Sequence, residues 1–98
     1  MPLYLDEIYF NISSPDNAKK MFALLQEALK GGFPPGVTLN AGPWASNEEP
    51  KVILVLDIQD HSLTFSTFSK LVSQGLVAKR RLTPIVEWSE VEKVVKEI

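Results

Sequence analysis

The segment Lys51-Val52-Ile53-Leu54-Val55-Leu56-Asp57-Ile58 sets the architecture of this chain. It holds six apolar residues, several of them β-branched, and only Asp57 interrupts them. Pro50 stands before the segment and Asp60 follows it closely. A short apolar run of this composition is typical of a β-strand that is buried on both faces. We therefore predict a central strand over residues 51–58, with the remaining elements arranged around it.

Length and charge exclude several classes of protein. Ninety-eight residues predict a single domain over 1–98, because the chain has no room for a second core. Ten basic and twelve acidic residues leave a net charge of −2. A chain so close to neutrality lacks the basic surface that binds a nucleic-acid backbone or an anionic membrane. We expect neither nucleic acid nor membrane as a partner.

The absence of cysteine and the presence of one histidine, His61, exclude further chemistry. Disulfides, thiolate metal sites and multi-histidine metal sites cannot form within one chain, so we predict no metal and no cofactor. The sequence shows neither a secretory leader nor an apolar run of the roughly 20 residues that would span a bilayer. These features predict a cytoplasmic protein.

Periodicity and capping signals predict seven elements. They are a strand over 3–12, a helix from Ser13-Ser14-Pro15-Asp16 to Gly31-Gly32, a strand over 37–41, the central strand, a helix with an apolar stripe from Phe65 to Leu76, a strand over 77–86, and a last helix opening at the capping box Ser89-Glu90-Val91-Glu92. The first helix has a predicted stripe of Ala18, Met21, Phe22, Leu25, Ala28 and Leu29. Trp88 is predicted to anchor the last helix to the sheet edge.

This order of elements predicts an α+β fold. Its simplest right-handed arrangement is a pair of split βαβ units, which is a ferredoxin-like βαββαβ sandwich with a short C-terminal helix. The sheet has four antiparallel strands in the order 4-1-3-2, and both main helices lie on one face. Pro84 cannot donate to a strand ladder, so the fourth strand belongs at an edge.

Helices on one face leave the apolar side chains of the other face in water. Along the central strand the choice is between Val52, Leu54, Leu56 and Ile58 on one side and Ile53 and Val55 on the other. A second copy of the chain, packed sheet on sheet about a two-fold axis, would cover the exposed set. We therefore predict a homodimer. The alternative is that the loop over 42–50 or the C-terminal helix folds across the same face.

The order of several short motifs resembles the dimeric α/β-barrel superfamily, and more narrowly a family of short uncharacterised domains within it. The matching features are Pro34-Pro35-Gly36-Val37, Trp44, Val55-x-Asp57-x-x-Asp60 and Thr83-Pro84-Ile85. Members often carry a histidine just after the tryptophan, where this chain has Ala45, so no ligand role for that histidine carries over. The resemblance implies the fold and the dimer, and it implies no reaction.

Four residues are candidates for catalysis. Glu7 and Tyr9 share one face of the first strand, where partial desolvation between two sheets would raise the pKa of Glu7 and suit it to proton transfer. The alternative is an ion pair from Glu7 to Lys79 or Arg81. Arg81 would add a cation to the same lining. His61 could act as a general base oriented by Asp57 or Asp60, or it could be a solvated loop residue.

Asn40 and Trp44 are candidates for ligand binding, at the mouth of a small-molecule pocket. The alternative for Trp44 is packing under its own loop or at a dimer seam.

The sequence leaves three functions open. The first is a homodimeric domain that binds a small molecule between its sheets, or a protein partner. The second is a cofactor-independent enzyme, of the proton-transfer or monooxygenase type, with an active site between the sheets. The third is a regulatory ligand-sensing module, which the lack of a DNA-binding segment disfavours.

Overall fold

A computed structural model describes residues 2–98 and shows an α+β chain. Its elements are β1 (Leu3–Phe10), α1 (Pro15–Glu27), a π-helical turn (Ala28–Gly32), β2 (Val37–Ala45), β3 (Lys51–Ile58), a 3₁₀ turn (His61–Thr64), α2 (Phe65–Ser73), β4 (Val77–Ile85) and α3 (Trp88–Glu97). The predicted central strand, β3, has the predicted bounds.

The four strands form one antiparallel sheet in the order β2-β3-β1-β4. This is the predicted order, and it places β4 with its Pro84 at an edge. Leu5 of β1 lies opposite Val55 of β3 on one side and opposite Thr83 of β4 on the other. These pairs fix the register of β1 with each of its two neighbours. Strand order and pairing are consistent with a ferredoxin-like sandwich.

The side chains of β3 alternate between the two faces of the sheet. Those on the helix-covered face, Val52, Leu54, Leu56 and Ile58, are at most 5% exposed. Burying each contributes on the order of 1.5–3 kcal/mol, so they form the main core. Ile53 and Val55 point the other way and are partly exposed. We call that other side the open face; strand alternation and register assign to it Leu3, Leu5, Glu7, Tyr9, Lys51, Ile53, Val55, Asp57, Lys79, Arg81, Thr83 and Ile85.

The start of α1 confirms the predicted cap. Ser14 has an extended backbone, and its hydroxyl accepts a hydrogen bond from the Asn17 amide at 3.2 Å. The predicted stripe is only partly confirmed, because Met21 is buried while Phe22 is 64% exposed. Leu24, outside the predicted stripe, is 36% exposed as well.

Replacing Ser14 with alanine is expected to lower the free energy of unfolding by about 1 kcal/mol, because the Asn17 amide loses its acceptor. Urea unfolding followed by circular dichroism measures this change. Ser13→Ala is the matched control, since Ser13 is exposed and lies outside the cap position. Equal losses in both variants would contradict the assignment of the cap to Ser14.

Two strand ends differ from the prediction. β1 ends at Phe10 instead of residue 12, because the Asn11 amide turns to the Leu76 carbonyl, at 2.9 Å. β2 continues to Ala45, four residues beyond the predicted end, because register shifts after Leu39 and Ala41 let pairing with β3 resume. Gly42 makes this path possible: its φ is +92°, and a Cβ there would lie 2.9 Å from a β3 carbonyl oxygen.

The prediction for α3 is wrong at its start. The helix begins at Trp88, Glu87 occupies the N-cap position, and no side chain caps the helix, so Ser89 lies inside the first turn and forms no capping box. Trp88 is 72% exposed, so it does not anchor the helix within its own chain. Val94, Val95 and Ile98 are exposed as well.

α3 therefore does not cover the open face. Val91 is the only residue of α3 whose side chain is even partly buried. The longest dimension of the molecule, 53 Å against 31 and 21 Å for the others, agrees with a helix that extends away from the sandwich.

Candidate functional site

Three polar side chains of the open face form a connected cluster, which we call the Glu7 cluster. Lys51 Nζ donates to Glu7 Oε2 at 2.6 Å and to the Tyr9 hydroxyl at 3.3 Å. The Glu7 and Lys51 side chains are only 15% and 13% exposed, and Tyr9 is 6% exposed. Adjacent strands bring these residues together, since Tyr9 and Lys51 lie opposite each other in the β1–β3 register.

The hydrogen bond from Lys51 lowers the pKa of Glu7, outweighing the opposing effect of desolvation. The same bond, together with the one to Tyr9, raises the pKa of Lys51. The sequence predicts a raised pKa for a Glu7 that is enclosed between two sheets, and that remains a prediction; within the single chain, Lys51, which the prediction did not include, lowers the pKa. Both groups are ionised at neutral pH.

Replacing Glu7 with glutamine is expected to destabilise the fold at pH 7 and to have a much smaller effect at pH 3. The pKa of Glu7 is lower in the folded chain than its ordinary value of 4.5. The stabilisation from ionised Glu7 is therefore present above pH 4.5 and is lost as the pH falls through the folded-state pKa. Urea unfolding of both proteins across this range measures the difference. Glu92→Gln, on exposed α3, is the control and should show no comparable pH dependence.

Two further cations border the Glu7 cluster. Arg81 lies opposite Glu7 in the β1–β4 register, and its charge contributes to lowering the pKa of Glu7. Lys79 Nζ lies 4.5 Å from the centre of the Tyr9 ring, within the range of a cation–π contact. The expected ion pair of Glu7 exists, but its partner is Lys51 and neither Lys79 nor Arg81.

The other predicted site residues lie elsewhere. His61 is exposed at the start of the 3₁₀ turn and borders a shallow groove with Phe65 and Leu82. The Asp60 carboxylate accepts from the Ser62 amide at 3.0 Å, which lowers its pKa. Asn40 is exposed. Trp44 is 53% exposed on the edge strand β2 and lies opposite Ile53 in register, which places it on the open face but on the far side of the sheet from Arg81 and Lys79. Neither lines a described cavity.

Asp57 is a buried carboxylate on β3. It is 6% exposed, and strand alternation assigns it to the open face, between Leu3 and Thr38 in register. Among the residues that the structure describes, its Oδ1 has no hydrogen-bond partner.

The helix-covered face holds a second polar cluster, which the sequence analysis did not single out. Arg80 donates from Nε and Nη2 to the two carboxylate oxygens of Asp6, at 2.7 and 2.6 Å. Its Nη1 donates to Thr64 Oγ1 at 2.7 Å. Asp6 and Arg80 carry opposite charges and lie on the helix-covered sides of two strands, where the other residues are mostly apolar. Two opposite charges at such positions are the sequence signal that could have predicted the pair.

Beside this pair, a cavity of about 260 Å³ lies between the sheet and the two helices. Its walls are mostly apolar and include Ile8, Met21, Leu54 and Phe68. Leu24, Glu27 and Thr67 also line it and are themselves exposed, so the cavity opens between α1 and α2. No candidate from the sequence analysis reaches it.

Comparisons with protein-family models, with curated proteins and with solved structures gave no match. Over residues 2–98, the side chains form no group that could hold a metal ion, and no helix is long and apolar enough to cross a bilayer.

Proposed function

We propose that this protein is a homodimer in which the open faces of two copies pack together, and that it binds a small anionic molecule between the sheets at the Glu7 cluster. The observation that carries the proposal is the open face itself, which combines uncovered apolar side chains with a partly desolvated group of charges.

The apolar part of the open face supports the dimer. Leu3, Leu5, Ile53 and Val55 remain partly exposed, while α1 and α2 pack on the other side. Apolar side chains grouped in this way on one surface mark interaction sites. A two-fold axis would bring the same surface of a second copy against them.

The charges of the chain also support the dimer. On the open face, the three cations Lys51, Lys79 and Arg81 outnumber the two carboxylates Glu7 and Asp57. The α3 segment over 87–97 has four glutamates against two lysines, and its apolar stripe has no cover in its own chain. The acidic helix of one copy is therefore complementary to the basic end of the other copy's sheet.

The ionisation of the Glu7 cluster favours binding over proton transfer. A general base works best when its pKa lies near the operating pH, whereas the ion pair with Lys51 lowers the pKa of Glu7. Glu49 also lies 3.8 Å from Lys51 Nζ, so with Lys79 and Arg81 the cluster and its neighbours keep an excess of one positive charge, which suits an anion such as a small carboxylate.

Light scattering on the purified chain at micromolar concentration tests the dimer. We expect twice the mass of a single chain for the native protein and the mass of a single chain for Val55→Lys, which places a charge at the centre of the open face. Ala23→Lys is the matched control, because Ala23 is exposed on α1, which packs on the opposite face of the sheet; it should remain dimeric. A native protein with the mass of one chain would overturn the proposal.

An NMR titration with succinate tests the ligand. We expect saturable shifts at the Tyr9, Lys79 and Arg81 amides that weaken as salt is added, since the attraction is electrostatic. An absence of shifts at 10 mM succinate in the dimeric protein would remove the anion-binding part of the proposal.

A further inference from the structure

The cavity between the helices and the sheet is larger than a packed core requires. Protein interiors are close-packed, with few voids larger than a water molecule, whereas the space between the sheet, α1 and α2 measures about 260 Å³ and is open between the two helices. An apolar cavity of about 150 Å³ is large enough to bind benzene. At about 30 Å³ per water-sized group, 260 Å³ holds roughly nine such groups.

One end of the cavity can hydrogen-bond to a ligand. A guanidinium has five N–H donors, and Arg80 uses three of them, two on Asp6 and one on Thr64. The other two remain for an acceptor that enters the cavity, which Arg80, Asp6 and Thr64 all line. The rest of the wall is mostly apolar and offers a ligand only packing contacts.

The charge at that end selects the ligand class. The Asp6 carboxylate is 1% exposed and lies against Arg80, so it neutralises the guanidinium inside the core. A ligand carboxylate would therefore be repelled by Asp6 while it is attracted by Arg80. It would also lose its hydration, and no unpaired cation in the cavity would compensate for that loss. A neutral hydroxyl or carbonyl group has neither cost.

We propose that this cavity is a binding site for a small neutral amphiphile, with an apolar body of about eight carbons and one hydroxyl or carbonyl group that accepts a hydrogen bond from Arg80. The ligand enters between α1 and α2, past Leu24 and Thr67. This site lies on the opposite side of the sheet from the Glu7 cluster and does not depend on the dimer.

Titration with 1-octanol, octanoate and octylamine tests the site on the native chain. The readout is the NMR signal of the Met21 methyl group, because Met21 is buried in the cavity wall. We expect saturable binding of 1-octanol, and binding of both charged analogues weaker by at least tenfold. No shift with any of the three compounds would overturn the proposal, and equal binding of octanoate or octylamine would overturn the neutral ligand class.

Two variants, each with one alanine replaced by leucine, localise the binding. Ala28 lines the cavity, so Ala28→Leu should fill part of it and weaken 1-octanol binding at least tenfold. Ala23 lies on exposed α1 surface outside the cavity, and Ala23→Leu should leave binding unchanged. Loss of binding in both variants, or in neither, would place the ligand elsewhere. If Ala28→Leu does not fold, the comparison of the three compounds still decides the outcome.

Discussion

Replacing Arg80 with methionine is expected to lower the free energy of unfolding by about 3–5 kcal/mol, because it leaves a carboxylate buried without its cation. Asp6 is 1% exposed, and both of its oxygens accept from Arg80. The substitution also removes the donor that Thr64 accepts from. Urea unfolding at neutral pH and at one fixed protein concentration measures the change.

An exposed cation on α1 provides the control for this prediction. Lys20→Met also replaces a cation with methionine, at a site away from both sheet faces, and should cost no more than about 0.5 kcal/mol. The double variant Asp6→Leu, Arg80→Met removes both charges and should recover most of the loss. Similar losses for Arg80→Met and Lys20→Met would show that the buried pair contributes no more than a surface charge.

Replacing Leu54 with alanine is expected to lower the free energy of unfolding by about 2–5 kcal/mol. Leu54 is 2% exposed at the centre of the helix-covered face and also forms part of the cavity wall. The upper half of the range is expected, because the cost of a truncation grows with the volume left empty, and the existing cavity limits how far the surroundings can collapse.

Val72→Ala is the control for the core truncation. Val72 belongs to the predicted stripe of α2 but is 42% exposed, so we expect a change of less than about 1 kcal/mol. Thermal and urea unfolding at one protein concentration separate the two outcomes. A loss at Val72 as large as that at Leu54 would mean that α2 is buried against something beyond this chain.

The central strand, the sheet order and the cap of α1 follow from local patterns. An apolar run with β-branched residues, a proline in an edge strand and a serine before a proline each act through backbone sterics or a hydrogen bond within a few residues. The same reasoning failed for the capping box at Ser89. There the N-cap is Glu87, two residues before the predicted Ser89, a choice that the motif alone does not determine.

The partners of the polar side chains could not be derived in the same way. Glu7 and Lys51 are 44 positions apart and Asp6 and Arg80 are 74 apart, and a one-residue change in strand register would separate either pair. The predicted partners of Glu7 lie on β4, which is a neighbour of β1 as predicted. The observed partner lies on the other neighbour of β1, which is β3. For the same reason the sequence did not reveal that Lys51 lowers the pKa of Glu7 within the single chain.

The sequence by itself determined which residues form strands and helices, and that both sides of β3 are apolar, because these properties depend on side-chain periodicity. Only the tertiary structure decided which side of β3 the helices cover, which charges become partners, and where a cavity remains. Those outcomes depend on register and on how far α1 and α2 stand apart, which are distances between segments remote in the chain. The open face and the helix-side cavity are therefore features of the fold rather than of any motif.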